Sequence, residues 1–335
     1  MKENQPTNER AFAYPPSRAI AVALQEYEKR QNAPYRVDFG LPIIDDYMTP
    51  MMAGDVMVVQ GRPGHAKTST CIHMARRASQ LTAALSSQGD DAIVVFVTWE
   101  TTVEEFIGLL TSHSSKQTLQ MIARGKADLK KIADAAVAVL ADRIYVVGYS
   151  LQNPIPLPLT LDRVIAVLRY LQKEGKRIAL VLWDYLQRMP AQRQGMRDME
   201  RVSANARGIK DASTMHGFPS VVAVQAGRQV DTYKGLKLPL LNDPQWSSTI
   251  EQDADKMLSI TRPSLYMEPG SLINNTYDGM QYEVSPETLV LQWPKQRWAE
   301  AGALFVVRFN PATLEFSGAK PVGTIPEEDD DDSPF

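Results

Sequence analysis

The segment that most constrains this chain runs Gly-Arg-Pro-Gly-His-Ala-Lys-Thr, from Gly61 to Thr68. It follows the apolar run 56–59 and leads into a predicted helix at residues 69–77. A strand, a tight glycine-rich turn and a helix N-terminus bring several backbone N–H groups and the positive end of a helix dipole to one point. A triphosphate can bind at such a point. The pattern G-x-x-x-x-A-K-T differs by one residue from the phosphate-binding loop G-x-x-x-x-G-K-[ST].

This motif assigns a task to each of its last residues. Lys67 reaches the β and γ phosphates, and the Thr68 hydroxyl holds Mg²⁺. Ala66 stands where the pattern has glycine, and its Cβ narrows the permitted backbone and can crowd the phosphate. The alternative is a chance glycine-rich turn before a helix. The predicted nucleotide-binding residues of the loop are Gly61, Arg62, Pro63, Gly64, His65, Ala66, Lys67, Thr68 and Ser69.

Composition limits the class of protein. The 335 residues, 44% of them hydrophobic, suffice for one large α/β domain or two smaller ones. A net charge of −3 argues against a strongly basic nucleic-acid-binding surface, although it allows a local basic channel. The single cysteine, Cys71, excludes an intramolecular disulfide and favours a small buried side chain in a reducing compartment. No apolar run approaches a membrane span and the N-terminus lacks a signal sequence, so we expect a cytoplasmic protein without a membrane partner.

Two further apolar runs end in carboxylates. Residues 92–98 precede Trp99 and Glu100, and residues 178–183 precede Asp184. Open α/β sheets bind ligands at the carboxyl ends of their strands, so Glu100 can polarise the water that attacks the γ-phosphate. Its alternative is an acid in the first turn of the next helix. Asp184 can hold the Mg²⁺ coordinated by Thr68, or it is an incidental strand-end acid.

Basic residues follow the strand that ends at Asp184. They are Arg188, Arg193, Arg197, Arg201 and Arg207. Such side chains can follow a phosphate backbone, but the interleaved Asp198 and Glu200 are equally typical of a solvated helix face. The next predicted strand, 220–225, ends in Gln225, whose amide can sense a γ-phosphate and pass its presence to the loop 236–246. Arg228 follows this strand, and Trp246 is the last residue of that loop.

The remaining segments give the domain organisation. Residues 1–35 are predicted to be a flexible N-terminus with an amphipathic helix at about 17–30, which packs on its own domain or on a neighbouring subunit. Residues 36–320 form the main domain, with a helical region at 102–141, an irregular stretch at 266–282 and a hairpin within 289–309. Residues 321–335 are predicted to be a disordered tail, because 327–332 is an unbroken acidic run.

Several motifs occur in an order that resembles the ATPase domain of DnaB-type replicative helicases, within the RecA-like P-loop class. The matching segments span residues 37 to about 317. They are the loop 61–68, the strand ending at Glu100, Asp-Tyr-Leu-Gln at 184–187, Gln-Ala-Gly-Arg at 225–228, Glu-Gln-Asp-Ala-Asp at 251–255 and Lys-Gln-Arg at 295–297. The resemblance implies an α/β fold: a RecA-like P-loop core with a mostly parallel, twisted sheet flanked by helices, and a C-terminal β-hairpin extension.

The resemblance also implies roles. ATP and Mg²⁺ would be the cofactors; Lys67 and Thr68 would bind phosphate and metal, Glu100 would activate water, and Asp184 would support the metal. Gln225 would couple the nucleotide state to DNA-binding loops. Lys295 and Arg297 would reach into the neighbouring subunit's site, with Arg297 as an arginine finger, so catalysis would require a ring or helix of subunits. The DNA-contact candidates are Arg188, Arg193, Arg197, Arg228 and Trp246.

Three departures from the family pattern affect the functional prediction. Ala66 replaces glycine, and the loop 242–248 lacks the family's Arg-Glu-Ser element. We also expect no folded N-terminal domain before the linker helix, and therefore no primase docking as in bacterial relatives. The predicted function is a homo-oligomeric, hexameric ATP-dependent helicase that moves on single-stranded DNA, with replication or loader proteins as partners. The alternatives are a RecA-like ATPase switch that recruits partners without unwinding, and a degenerate P-loop scaffold without turnover.

Overall fold

A computed structural model describes residues 14–32, 37–86, 91–140, 143–154, 157–245 and 249–322. The chain divides into two compact units, residues 1–36 and 37–335. In the first unit, helix α1 (Pro16–Asn32) is slightly longer than the predicted 17–30. Its Ile20, Leu24 and Tyr27 are exposed. The acidic run 327–332 lies outside the described residues.

The second unit is built on one large sheet. Its strands are β1 (Val56–Gly61), β2 (Ala92–Thr98), β3 (Ile144–Val147), β4 (Arg177–Asp184), β5 (Ser220–Gln225) and β6 (Lys256–Thr261), with β9 (Thr288–Gln296), β10 (Leu304–Asn310) and β11 (Glu315–Gly318). A separate hairpin pairs β7 (Leu272–Asn274) with β8 (Gln281–Glu283). The large sheet has nine strands in the order β11-β10-β9-β6-β1-β5-β4-β2-β3. Strands β6 to β3 in this order run parallel, whereas β9, β10 and β11 are antiparallel.

Helices cover both faces of the sheet. They are α2 (Pro42–Asp45), α3 (Lys67–Ser86), α4 (Val103–Ser115), α5 (Leu119–Ala123), α6 (Leu129–Leu140), α7 (Leu161–Lys173), α8 (Asp198–His216) and α9 (Thr249–Asp253). Alternate residues of a strand face opposite sides. Side chains of α7 and α8 pack with Val95, Trp183 and Val222 on one side, while α3 contacts the same strands from the other. Strands buried on both faces explain the continuous apolar runs, and the predicted α/β fold is confirmed.

The predicted C-terminal hairpin is confirmed, and it belongs to the main sheet. Strands β9 and β10 pair antiparallel, and β9 also pairs antiparallel with β6, where Lys256 lies opposite Gln296. The carboxyl end of β9 therefore lies at the amino end of β6. Residues that follow β9 are placed at the edge of the parallel strands opposite to the phosphate loop.

Two predictions about secondary structure were wrong in detail. The helical region 102–141 is three helices, because Lys116 ends α4 with φ 55° and the Thr118 hydroxyl accepts from the Met121 N–H to begin α5. The stretch 266–282 contains β7 and the start of β8, whose Ile273 and Tyr282 are buried in a small separate cluster. Among the helices in the described part of the chain, none is long and apolar enough to cross a membrane.

Candidate nucleotide-binding site

The carboxyl ends of β1, β5, β4 and β2 are adjacent in the sheet and place the sequence-predicted residues around one cavity. The cavity has a volume of about 540 Å³. Lys67, Thr68, Glu100 and Gln225 all line it, as do Pro63, Gly64, Ala66 and Ser69 of the phosphate loop. The loop and the strand-end residues, which are far apart in the sequence, therefore form one site.

The backbone of the loop has the conformation that glycine would favour at residue 66. Ala66 has φ 66° and Gly64 has φ 81°. The left-handed conformation costs an alanine about 1–2 kcal/mol. The Ala66 carbonyl accepts hydrogen bonds from the Thr70 N–H at 2.9 Å and from the Thr70 hydroxyl at 2.8 Å. These bonds tie the strained residue to the first turn of α3.

Lys67 lies inside the loop. Its Nζ donates to the Arg62 carbonyl oxygen at 3.0 Å. Burial lowers the pKa of Lys67 to about 8, although the nearby Asp184 and Glu100 carboxylates favour its charged form. The ammonium group is thus partly desolvated and held where phosphate oxygens can replace the carbonyl as its partner.

Asp184 and Thr68 form the candidate metal-binding pair. The Thr68 hydroxyl donates to Asp184 Oδ1 at 3.2 Å, and Asp184 is fully buried. Burial raises the pKa of Asp184 to about 7. The other carboxylate oxygen, Oδ2, is buried and has no hydrogen-bond partner among the described residues. An unpartnered buried carboxylate oxygen beside a hydroxyl is a donor set that fits Mg²⁺.

Two side chains of the loop point away from the cavity and anchor it. Arg62 donates to both carboxylate oxygens of Asp231, at 3.0 and 2.8 Å, and to the Ala226 carbonyl at 3.0 Å. His65 is buried, and its Nδ1 accepts from the Arg262 N–H at 3.0 Å at the end of β6. Burial, and secondly the Lys67 charge, lower the pKa of His65 to about 4. Neither Arg62 nor His65 is among the residues that line the cavity, although the sequence pattern predicted both as nucleotide-binding residues.

One end of the cavity is apolar, and no sequence pattern predicted it. Leu109, Leu119, Phe309 and Leu314 line it together with Arg262. The Arg262 guanidinium lies 5.7 Å from the Phe309 ring centroid. Apolar walls and a planar cation suit a flat heterocycle. Leu109 and Leu119 belong to α4 and α5, whereas Phe309 lies on β10 and Leu314 in the turn after it, so only the folded chain brings these residues together.

Lys295 and Arg297 are not brought to this cavity. Arg297 Nη1 donates to Asp255 Oδ1 at 2.8 Å, and Lys295 Nζ donates to the Glu251 carbonyl at 2.6 Å. Asp255 precedes β6 and also accepts from the Val56 N–H at 2.9 Å, at the start of β1. The phosphate loop begins at the other end of β1, roughly 17 Å away at the usual rise per strand residue. The Arg297 side chain is 63% exposed.

The loops after β4 and β5 are joined to each other. The Gln187 side chain donates to the Gln225 carbonyl at 3.2 Å and accepts from the Gln225 N–H at 3.0 Å. Arg188 and Arg228, which follow these two strands, are both exposed. The two loops therefore present cations on one edge of the sheet, beside the cavity.

The other basic candidates differ in their surroundings. Arg193 is exposed, and Arg197 is exposed with an ion pair to Glu200 at 2.7 Å. Arg201 supports the loop, because its Nη1 donates to the Gln187 and Met189 carbonyls at 2.8 and 2.6 Å. Trp246 lies outside the described residues.

A mostly parallel sheet, a phosphate loop at the end of a central strand and acids on neighbouring strand ends define a nucleotide-binding domain of the P-loop class. The family model of the DnaB-like helicase C-terminal domain matches residues 37–317. The chain belongs to this family, and the resemblance predicted from its motifs is confirmed.

Individual relatives agree with this assignment. The replicative DNA helicase DnaB of Leifsonia xyli subsp. xyli is 26% identical over 261 residues, covering 75% of this chain and 53% of that protein. A probable plasmid replicative DNA helicase of Chlamydia trachomatis is 27% identical over 227 residues, covering 67% and 46%. The chain thus spans about half the length of these relatives. The solved ATPase domain of G40P superimposes with a TM-score of 0.72 at 18% identity, over 90% of this chain and 98% of that domain, which shows the shared fold.

Proposed function

We propose that this chain is the ATP-hydrolysing motor of a homo-oligomeric, hexameric DNA helicase that moves on single-stranded DNA and separates duplexes. The observation that carries the proposal is the division of the predicted reaction centre between two edges of one sheet. The phosphate loop and strand-end acids lie at one edge, and Arg297 lies exposed at the other. A subunit with this layout requires a neighbour to complete its site. The names of the relatives support the choice of helicase.

Within one subunit, the loop backbone and Lys67 bind the phosphates of ATP, and the apolar end of the cavity holds the base. Thr68 and Asp184 would hold Mg²⁺, and the ion would supply positive charge that stabilises the phosphates during transfer. Glu100 lines the cavity and is exposed, so it can accept a proton from the water that attacks the γ-phosphate. Gln225 lines the same cavity.

The neighbouring subunit supplies Arg297, with Lys295 beside it. A guanidinium placed on the transferring phosphoryl group neutralises its developing charge and accelerates hydrolysis by about 10³–10⁵. The ATP site therefore lies between subunits. The exposed apolar face of α1 is proposed to dock on the next subunit, as a linker helix.

Nucleotide state passes to DNA through the joined loops. Gln225 touches the cavity, and its main chain is bonded to Gln187, which precedes Arg188. A shift of Gln225 on hydrolysis would move both loops and their cations, which hold the phosphate backbone of the strand. Arg193, Arg197, Arg228 and Trp246 are further candidates for that contact. We also propose a cytoplasmic location and replication or loader proteins as partners.

The test is ATP hydrolysis with and without single-stranded DNA. We expect DNA to stimulate hydrolysis, and Lys67→Ala to reduce activity at least about 100-fold because a phosphate contact is lost. Thr68→Ser keeps the hydroxyl and serves as the matched control. Hydrolysis that DNA does not change would favour the ATPase switch, and nucleotide binding without hydrolysis would favour the scaffold.

A further inference from the structure

Trp298 is unusual in both exposure and backbone conformation. It lies in the turn that follows β9, and 85% of its surface is exposed, the highest value among the large apolar side chains of the described residues. Its φ is 70°. Tryptophan is mostly buried in folded proteins, and a bulky residue in the left-handed region costs of order 1–3 kcal/mol. Both the exposure of the indole ring and the left-handed backbone are unfavourable in the free subunit. We therefore expect a binding partner that covers this side chain.

The turn that carries Trp298 is firmly held. The Tyr47 hydroxyl donates to the Glu300 carbonyl at 2.8 Å, and the Ala303 N–H donates to the same hydroxyl at 3.3 Å. Gln296 Nε2 donates to the Tyr47 and Glu300 carbonyls, each at 3.1 Å. The turn is therefore fixed before any partner binds, which lowers the entropy lost on binding.

Arg297, which precedes Trp298 in the chain, indicates which partner Trp298 contacts. Arg297 is anchored by Asp255 and exposed, and the proposed function places it in the site of an adjacent subunit. Consecutive Cα atoms are about 3.8 Å apart, so a subunit that receives Arg297 comes within reach of Trp298. This inference rests on the proposed function and adds the contact that holds the two subunits together.

The rim of the nucleotide cavity has the chemistry to receive both side chains. Its interior presents the carboxylate of Glu100, which complements the Arg297 guanidinium. On the rim, Leu265 is 52% exposed and lies beside Gly64 of the phosphate loop, which lines the cavity. Charge in the cavity and apolar surface around it match a cation and an indole ring presented side by side.

The geometry points to Trp298 as the anchor of the subunit interface: it packs on the apolar rim of the nucleotide cavity of a second copy of this chain. At protein interfaces, a few residues dominate the binding energy, and tryptophans that become buried at the centre of the contact are typical of them. Trp298 supplies affinity between subunits, whereas Arg297 supplies chemistry.

The experiment measures assembly of the full chain with Mg²⁺ and a non-hydrolysable ATP analogue, by mass photometry over a range of protein concentrations. We expect Trp298→Ala to raise the concentration of half-assembly at least about tenfold. Trp298→Asn guards against misfolding, because asparagine tolerates positive φ, and it should weaken assembly equally. Tyr170→Ala, which removes another exposed aromatic on α7, should leave assembly unchanged. At saturating concentration, Trp298→Ala should retain the per-subunit ATPase rate that Arg297→Ala loses.

Fluorescence gives an independent readout. The chain has five tryptophans, so the difference between wild type and Trp298→Phe isolates the emission of Trp298. We expect this emission to shift to shorter wavelength on assembly, as the indole leaves water. Normal assembly of Trp298→Ala and Trp298→Asn with no emission shift would overturn the inference and leave the proposed function intact. A chain that hydrolyses ATP without assembling would instead overturn the proposed function.

Discussion

The two edges of the central sheet differ in how well their polar groups are satisfied. At the nucleotide edge, Ala66 has a left-handed backbone and a buried oxygen of Asp184 has no partner among the described residues. At the opposite edge, Asp255 accepts from the Val56 N–H, from Lys210 Nζ at 2.6 Å and from Arg297. The first edge is therefore arranged to bind a ligand. At the second edge, both carboxylate oxygens of Asp255 have partners, and the Arg297 and Trp298 side chains are exposed where a neighbouring subunit can meet them.

This contrast indicates that the residues for nucleotide chemistry and the residues that stabilise the fold lie at different edges of the sheet. The nucleotide edge contains strain and desolvated charge, which cost stability and are offset when phosphate and metal bind. The Asp255 edge joins β1, α8 and β9 through one buried carboxylate, so it contributes to folding. The predictions below test this separation, from the largest expected effect to the smallest.

Arg297→Ala should affect catalysis alone. We expect kcat per subunit to fall by about a thousandfold or more, because a trans guanidinium no longer stabilises the transferring phosphoryl group. Arg297→Lys should not restore the rate, since an ammonium lacks the planar fork. Nucleotide affinity, measured with a fluorescent ATP analogue, should change little, and the free energy of unfolding should fall by no more than about 1 kcal/mol, because Asp255 keeps Lys210 and the Val56 N–H as partners. A fall in kcat of less than tenfold would contradict the assignment.

Asp255→Ala should destabilise the domain by about 3 kcal/mol, because it removes a buried carboxylate that pairs with Lys210 and Arg297 and bonds the Val56 N–H. Urea unfolding measures the loss. Asp211→Ala, at an exposed position on α8 next to Lys210, is the matched control and should change the free energy of unfolding by no more than about 0.5 kcal/mol. Equal effects of the two substitutions would mean that the Asp255 edge does not bear on folding.

The free energy of unfolding of the domain should fall in acid because of His65, which lies at the nucleotide edge. Its pKa is about 4 in the folded chain against 6.5 for a free histidine, so the unfolded state takes up a proton first. This contribution is complete above pH 6.5, declines as the pH falls, and is fully lost near pH 4. The loss is at most about 3 kcal/mol at 1.36 kcal/mol per pH unit.

The variant His65→Asn keeps an acceptor near the position of Nδ1 and cannot titrate. Its free energy of unfolding, measured by urea titration between pH 7 and 4, should decline less than that of wild type. An identical pH dependence in the two proteins would show that the histidine does not hold the loop in its neutral form.

Ala66→Gly should stabilise the domain in the absence of nucleotide, by up to about 1 kcal/mol, since glycine adopts φ 66° without the steric cost. Ala75→Gly, in the buried interior of α3, should have the opposite sign by about 1 kcal/mol or more. Urea unfolding of both variants reports the difference. Destabilisation by Ala66→Gly would indicate that the loop is not strained at this residue.

Sequence patterns predicted those parts of the site in which the chemistry requires a particular residue type directly after a strand or in a turn. The loop 61–68 and the strand ends at Glu100, Asp184 and Gln225 meet at one cavity because carboxyl ends of parallel strands share an edge. Sequence patterns could not predict the apolar end of the cavity, which is lined by Phe309 of β10 and by Leu314 in the turn between β10 and β11. They also could not show that Asp255 binds Arg297, since this contact depends on the register between β6 and β9.

The most direct test of the divided reaction centre mixes Lys67→Ala and Arg297→Ala subunits in equal amounts. Each variant alone should be nearly inactive. In mixed oligomers, an intact phosphate loop from an Arg297→Ala subunit meets an intact arginine from a Lys67→Ala subunit at roughly a quarter of the interfaces. We expect ATPase activity to return in that proportion. A mixture that stays as inactive as its components, although mass photometry shows mixed oligomers, would contradict a site shared between subunits.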